Sequence, residues 1–234
     1  MLTFDDVGDP SGAPVVYLHG GGDSRLSRHP DDGIAAELGV RLVAVERCGP
    51  PVRGRTLRSW AGEVGEVLDA LGLGRVGVIG WSAGGPHALA VAAGLPDRVA
   101  RVGLVGSMPT PSGVGALPVD VQRSMRVARW APWLAARALE RWGRRPVAST
   151  GDPRTDDAYA RGRVESFRSG GMWLARELAY LGRPWGFDLA DVRAPVTLWW
   201  GESDRVCPPS IARAYERELP NATLRLVEGT HQLL

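Results

Sequence analysis

The stretch from Val76 to Ala90, VGVIGWSAGGPHALA, constrains the fold of this chain more than any other. It opens as an apolar, β-branched run and closes as a helix former. A strand must therefore pass into a helix across Gly80-Trp81-Ser82-Ala83-Gly84. A glycine-rich turn of this kind can serve phosphate through backbone N–H groups. A P-loop also needs a lysine, and all 28 basic residues here are arginine. A dinucleotide site needs an acid closing the next strand, but Arg101 to Ser107 (RVGLVGS) closes in Gly106-Ser107. The reading with chemical content is G-x-S-x-G, the nucleophile elbow. In that turn the serine backbone is strained, and Gly80 and Gly84 are small because strand and helix approach too closely for side chains. Ser82 Oγ is thereby raised above the sheet at the start of the helix. Pro86 suits the first turn of that helix, where its missing N–H costs little.

The rest of the chain alternates in the same way. Apolar strands are expected at Ala13 to Leu18, Val40 to Val45, Val76 onward, Val99 to Val105, Val196 to Trp200 and Thr223 to Val227. Helical spacing marks Leu57 to Leu71, with Leu57, Trp60, Ala61, Val64, Val67, Leu68 and Leu71 on one side, and Ile211 to Leu219. This alternation predicts an α/β fold: a mostly parallel sheet with helices on both faces, and working groups on loops at the carboxyl ends of strands. A length of 234 residues suits one such domain with an insertion. The net charge of +2 points to no nucleic acid or other polyanion partner. The chain opens MLTFDDVGDPSG, with no basic and apolar leader, and no apolar run reaches the length of a membrane span. With Cys48 and Cys207 as its two cysteines, the chain is expected in the cytoplasm, without a disulfide framework, and without a membrane partner.

Those strand ends carry a serine, an acid and a histidine in chain order. The first strand runs into His19-Gly20-Gly21-Gly22 and the second into Glu46-Arg47-Cys48-Gly49. The third meets the Ser82 turn. VTLWW runs into Gly201-Glu202-Ser203-Asp204, and the last strand into Glu228-Gly229-Thr230-His231. A serine hydroxyl needs a base during attack. His231 is the candidate base, Asp204 the group that fixes its tautomer, and Glu202 the rival acid. The oxyanion needs preorganised donors, worth about 3–4 kcal/mol each in comparable sites. The N–H groups of Gly21 and Ala83 are the candidates, with Gly22 the nearest alternative. His87 reads as a packing residue, His29 as a surface histidine, and His19 as a hydrogen-bonder shaping the first loop. No His, Cys or carboxylate cluster has metal-ligand spacing, and no cofactor is expected.

With HGGGDS, GWSAGGPHALA, PWGFDLADVRAPVTLWWGESDRVCPP and LVEGTH in view, the chain resembles the α/β-hydrolase superfamily over nearly its whole length. It is similar to the small carboxylesterases, enol-lactone hydrolases and proline iminopeptidases. The resemblance implies a hydrolase core at 1–109 and 188–234 with a helical cap inserted at 110–187. It also implies an additional N-terminal strand, for which little precedes Leu2, and a final helix after the catalytic histidine, whereas His231 lies close to Leu234. His231 is accordingly expected to be loosely held.

Within 110–187, helices are expected over Pro118 to Trp142 and Asp156 to Leu181, broken at Gly170-Gly171. Five tryptophans fall there: Trp130, Trp133, Trp142, Trp173 and Trp185. Gly22, Trp81, Trp130, Trp133, Trp173 and Trp185 are the candidates to line a broad, apolar pocket for a small-molecule substrate. The segment carries 13 Arg against 7 Asp plus Glu. Hydrolysis of a carboxylic ester or lactone is the leading expectation. Cleavage of an N-terminal residue from a peptide is the alternative, which wants cap carboxylates such as Glu140, Glu165 or Glu177 aimed at an amine. A hydrolase-fold protein that binds a ligand without net hydrolysis is a third.

Overall fold

The computed structural model describes residues 1–49 and 54–232. Seven strands form one sheet: β1 Phe4–Gly8, β2 Ala13–Leu18, β3 Val40–Val45, β4 Val76–Trp81, β5 Val99–Val105, β6 Val196–Gly201 and β7 Ala222–Val227. Their order is β1-β3-β2-β4-β5-β6-β7, with β1 antiparallel to β3 and every other pairing parallel. The six strands expected from the apolar runs are all present. The additional N-terminal strand is present as β1, but it lies after Leu2 and not before it. Its FDDVG pattern is polar because Asp6 pairs with Arg41 on β3 at 2.7 Å and Asp5 with Arg25 at 2.8 Å. Charge pairs across a sheet edge leave no apolar alternation to read.

The helices are α1 Asp32–Glu37, α2 Trp60–Ala70, α3 Gly84–Gly94, α4 Val119–Trp130, α5 Pro132–Gly143, α6 Pro153–Ser166, α7 Met172–Leu181 and α8 Pro209–Glu218. The main core lies on one face of the sheet. Val16 and Leu18 of β2, Val78 of β4, Leu104 of β5 and Leu198 and Trp200 of β6 meet α2, α3 and α8 there. Period-2 alternation sends Tyr17, Ala44, Trp81 and Val105 to the opposite face, where Tyr159 of α6 packs on them. Farther along that face, Val15, Gly77, Ile79, Gly103, Thr197 and Trp199 line an open groove of about 430 Å³.

Between β5 and β6 lie α4 to α7. Pro132 starts α5 with only Ala131 between it and the end of α4. Asp152 caps α6 by accepting from the N–H groups of Arg154 and Thr155. Ala128, Ala135, Ala136 and Ala175 form the small-residue seam where α4, α5 and α7 meet. No helix among the described residues is long and apolar enough to cross a membrane.

Candidate active site

Ser82 follows the last residue of β4 and precedes α3, and its φ of 52° is the only positive value of a non-glycine among the described residues. An L-residue holds that conformation only where its surroundings over-determine it. Here Ser82 N–H donates to Val105 O at 2.9 Å, and Ser82 O accepts from Gly85 at 3.1 Å and Met108 at 2.9 Å. The flanking glycines are sterically required. A Cβ on Gly84 would lie 2.0 Å from Leu18 O, and one on Gly80 would lie 2.4 Å from Gly84 O.

His231 and Asp204 meet at the neighbouring strand ends. His231 Nδ1 donates to Asp204 Oδ2 at 2.7 Å. The other oxygen of Asp204 accepts from the N–H groups of Val206 and Cys207, both at 2.8 Å. Asp204 is buried, whereas Glu202 is exposed. The structure thus places Asp204, and not Glu202, on the histidine. Gly106 makes room for this pair, because a Cβ there would lie 3.1 Å from both Asp204 Oδ2 and His231 Nδ1. Sequence reading noticed Gly106 only as the absence of an acid.

The expectation of a loosely held His231 gives way in part. Trp81 Nε1 donates to the carbonyl of His231 at 3.1 Å, and the two rings lie 5.8 Å apart. Trp81 and Asp204 therefore hold the histidine from two sides. No hydrogen bond joins Ser82 to His231 among the described residues, and Leu233 and Leu234 lie outside them.

Gly21 and Ala83 face each other across a narrow gap: a Cβ on Gly21 would lie 3.3 Å from Ala83 Cβ. Among the described residues, neither N–H is taken by another backbone group. Two free amides beside the Ser82 turn can receive a developing negative charge. Leu174 of α7 lies over Gly21 and Gly22.

The tryptophans divide. Trp130 and Trp133 are 77% and 60% exposed on the outer corner of α4 and α5, so the structure places them away from the site. Trp185 is buried in the main core and donates to Leu181 O. Helical spacing predicts an apolar stripe but not which neighbour covers it. Trp173 is buried edge-on to His19, with ring centroids 6.4 Å apart. Trp142, which was not singled out, closes on Gly22: a Cβ there would lie 2.5 Å from its ring. The guanidinium of Arg163 stacks on the same indole at 4.0 Å.

Beneath the first loop, His19 Nε2, Glu46 Oε1 and Cys48 Sγ lie within 4.8 Å of one another, the one such trio among the described residues. Their positions, 19, 46 and 48, hide the cluster in sequence. It is hydrogen-bonded rather than open: Glu46 Oε1 lies 3.0 Å from His19 Nε2 and 2.6 Å from Cys48 Sγ, and Arg25 takes Glu46 Oε2 at 2.9 Å. Burial and the Glu46 charge push the Cys48 thiol well up, away from the thiolate that a soft metal needs. The trio braces the loop.

The sheet order, the strained serine and the His–Asp pair can now be set beside known proteins. The model of the alpha/beta hydrolase fold family matches residues 13–234. The chain belongs to the α/β-hydrolase family. Among proteins similar to this α/β-hydrolase is the pimeloyl-[acyl-carrier protein] methyl ester esterase of Aromatoleum aromaticum. It is 30% identical over 230 residues, spanning 90% of this chain and 87% of that one. A proline iminopeptidase of Neisseria meningitidis is 26% identical, spanning 99% and 87%. The esterase RhEst1 from Rhodococcus sp. superposes with a TM-score of 0.70 at 25% identity, spanning 98% and 87%. These relatives support an enzyme with hydrolase activity for this α/β-hydrolase.

Proposed function

We propose that the protein is a serine hydrolase that cleaves a carboxylic ester or lactone through a seryl acyl-enzyme. The observation that carries this reading is the strained Ser82 turn, with its φ of 52°, set beside the two free amides of Gly21 and Ala83. Ser82 Oγ attacks the ester carbonyl while His231 Nε2 takes its proton, and Asp204 holds the Nδ1–H tautomer and stabilises the imidazolium. The carbonyl oxygen becomes an oxyanion received by the Gly21 and Ala83 amides. Collapse expels the alcohol, protonated by His231, and water repeats the sequence on the acyl-enzyme. One donor lies in the loop that follows β2 and the other at the N-terminus of α3.

In this reading α4 to α7 form the cap, and Leu174, Trp142 and Trp173 shape the acyl side of the site. An apolar small molecule is the substrate class, and the cytoplasm the proposed location. The ester reading is favoured over removal of an N-terminal residue because the cap glutamates are engaged. Glu140 accepts from Gly171 N–H at 2.8 Å, Glu165 pairs with Arg25 at 3.3 Å, and Glu177 pairs with Arg47 at 3.3 Å.

A fluorophosphonate probe should label Ser82 in the native protein and fail to label the Ser82→Ala variant. The same pair, assayed on esters, lactones and aminoacyl amides, identifies the substrate class. Labelling at a different serine, or turnover surviving in Ser82→Ala, overturns the proposal.

A further inference from the structure

The first loop contains three successive glycines, Gly20 to Gly22. Glycine sets no preferred peptide plane of its own. The Gly20–Gly21 peptide is held by its carbonyl: Arg47 Nη2 donates to Gly20 O at 3.1 Å, the Asp23 N–H donates to it at 3.4 Å, and His19 Nδ1 lies 2.9 Å from it. The N–H at the other end of that peptide unit is Gly21 N–H.

Arg47 is itself held at one place. Its side chain is 0% exposed, and Nη2 also reaches Glu177 Oε2 at 3.3 Å, where Glu177 is 2% exposed. Among the described residues its Nε and Nη1 have no partner. Glu46, the adjacent acid, is committed to His19, Cys48 and Arg25. Glu177 sits on α7, 130 residues along the chain from Arg47. Its second oxygen lies 3.4 Å from His87 Nε2, and His87 Nδ1 donates to Ala83 O at 2.8 Å.

We infer that Glu177 is a positioning residue that sets the Gly21 oxyanion amide through Arg47 and the Gly20 carbonyl, so that docking of α7 completes the oxyanion site. The inference rests on the proposed reading of Gly21 as an oxyanion donor. The physical warrant is twofold. A peptide whose carbonyl accepts a charge-assisted hydrogen bond is polarised and becomes a stronger donor at its N–H. A buried guanidinium stays in place only with its counter-charge, since removing one partner strands the other. Substrate contact is not required of either residue.

The test uses the full chain, p-nitrophenyl butyrate as substrate, and an alkyl trifluoromethyl ketone that forms a tetrahedral oxyanion on the serine. Loss of a whole oxyanion donor costs 10²–10³ in comparable sites, so a misaligned one should cost about tenfold. Glu177→Gln should lower kcat about tenfold, leave KM within about twofold, and weaken ketone binding in step with kcat. Arg47→Lys, which can still donate to Gly20 O, should retain more kcat than Arg47→Met. Glu140→Gln, a cap carboxylate away from Arg47, should stay near wild type. If Glu177→Gln does not fold, the double variant Arg47→Met with Glu177→Leu removes both charges together, and the same kcat loss is expected. Wild-type kcat and ketone affinity in a folded variant whose Ser82 still takes the fluorophosphonate overturn this inference alone. A wild-type protein that the probe does not label overturns the serine-hydrolase reading as well.

Discussion

Trp81 Nε1 donates to the carbonyl oxygen of His231 at 3.1 Å, so the residue preceding the strained serine also secures the loop of the histidine. One strand end thus fixes both partners of the proposed proton transfer. Trp81→Phe keeps a ring against Tyr159 but removes the donor. The lost hydrogen bond, about 0.5–1.5 kcal/mol, should appear as a fall of about two- to twelvefold in kcat/KM on p-nitrophenyl butyrate. Unchanged kinetics would show that the His231 loop does not depend on this bond.

Asp204 should matter far more than Glu202. Asparagine at 204 can keep the bonds to the Val206 and Cys207 amides but presents the wrong group to His231 Nδ1. The comparable substitution in a serine protease triad costs about 10⁴ in kcat. Glu202→Gln, at an exposed position, should stay within about twofold. Steady-state kinetics of the two variants decide the matter, and the opposite ranking would move the acid role to Glu202.

The positive φ of Ser82 stores strain that glycine would release. Ser82→Gly should be inactive yet more stable than Ser82→Ala by about 1 kcal/mol, which is roughly 2–4 °C in Tm for a chain of this size. Differential scanning calorimetry of the two inactive variants makes the comparison. Equal melting temperatures would mean that the turn is not strained.

Glu46 should give the protein part of its acid sensitivity. Burial pushes its carboxyl up, but hydrogen bonds and charge from His19, with bonds from Cys48 and Arg25, outweigh that and hold it well below the ordinary 4.5. A depressed folded pKa adds stability above the unfolded value, and that stability is lost as pH falls below it. Glu46→Gln should be less stable than wild type at neutral pH, with the gap narrowing steadily as pH falls from about 5 and a substantial part of it still present at about pH 3. Urea midpoints across that range test it, and a pH-independent gap would remove Glu46 from the account.

The parts of the fold legible in sequence are those with strong local causes. GWSAG reads as an elbow because Gly80 and Gly84 answer to close approaches a few residues away. Asp204 separates from Glu202 because the loop amides of Val206 and Cys207 curl around one carboxylate. The illegible parts depend on partners distant in sequence. β1 hides because Asp5 and Asp6 find arginines at positions 25 and 41. Trp130 and Trp133 fall in the same expected helical stretch as Trp142, and only the docked helices decide which indole meets Gly22. Arg47 carries no signal of its own and Glu177 reads only as one of three cap carboxylates, since neither position alone implies the other as a partner.

The long reach from Arg47 to Glu177 bears on how activity emerges as the chain folds. The proposed nucleophile and both oxyanion amides lie before residue 84, while Glu177, Asp204 and His231 all follow residue 176. Contacts this far apart in sequence close late, because chain entropy must be surrendered before they reward it. A partly folded or truncated chain can therefore hold an ordered serine turn and remain chemically silent. Recovery of turnover during refolding should lag the return of strand signal, and the lag reports the docking of the second half of the chain on the first.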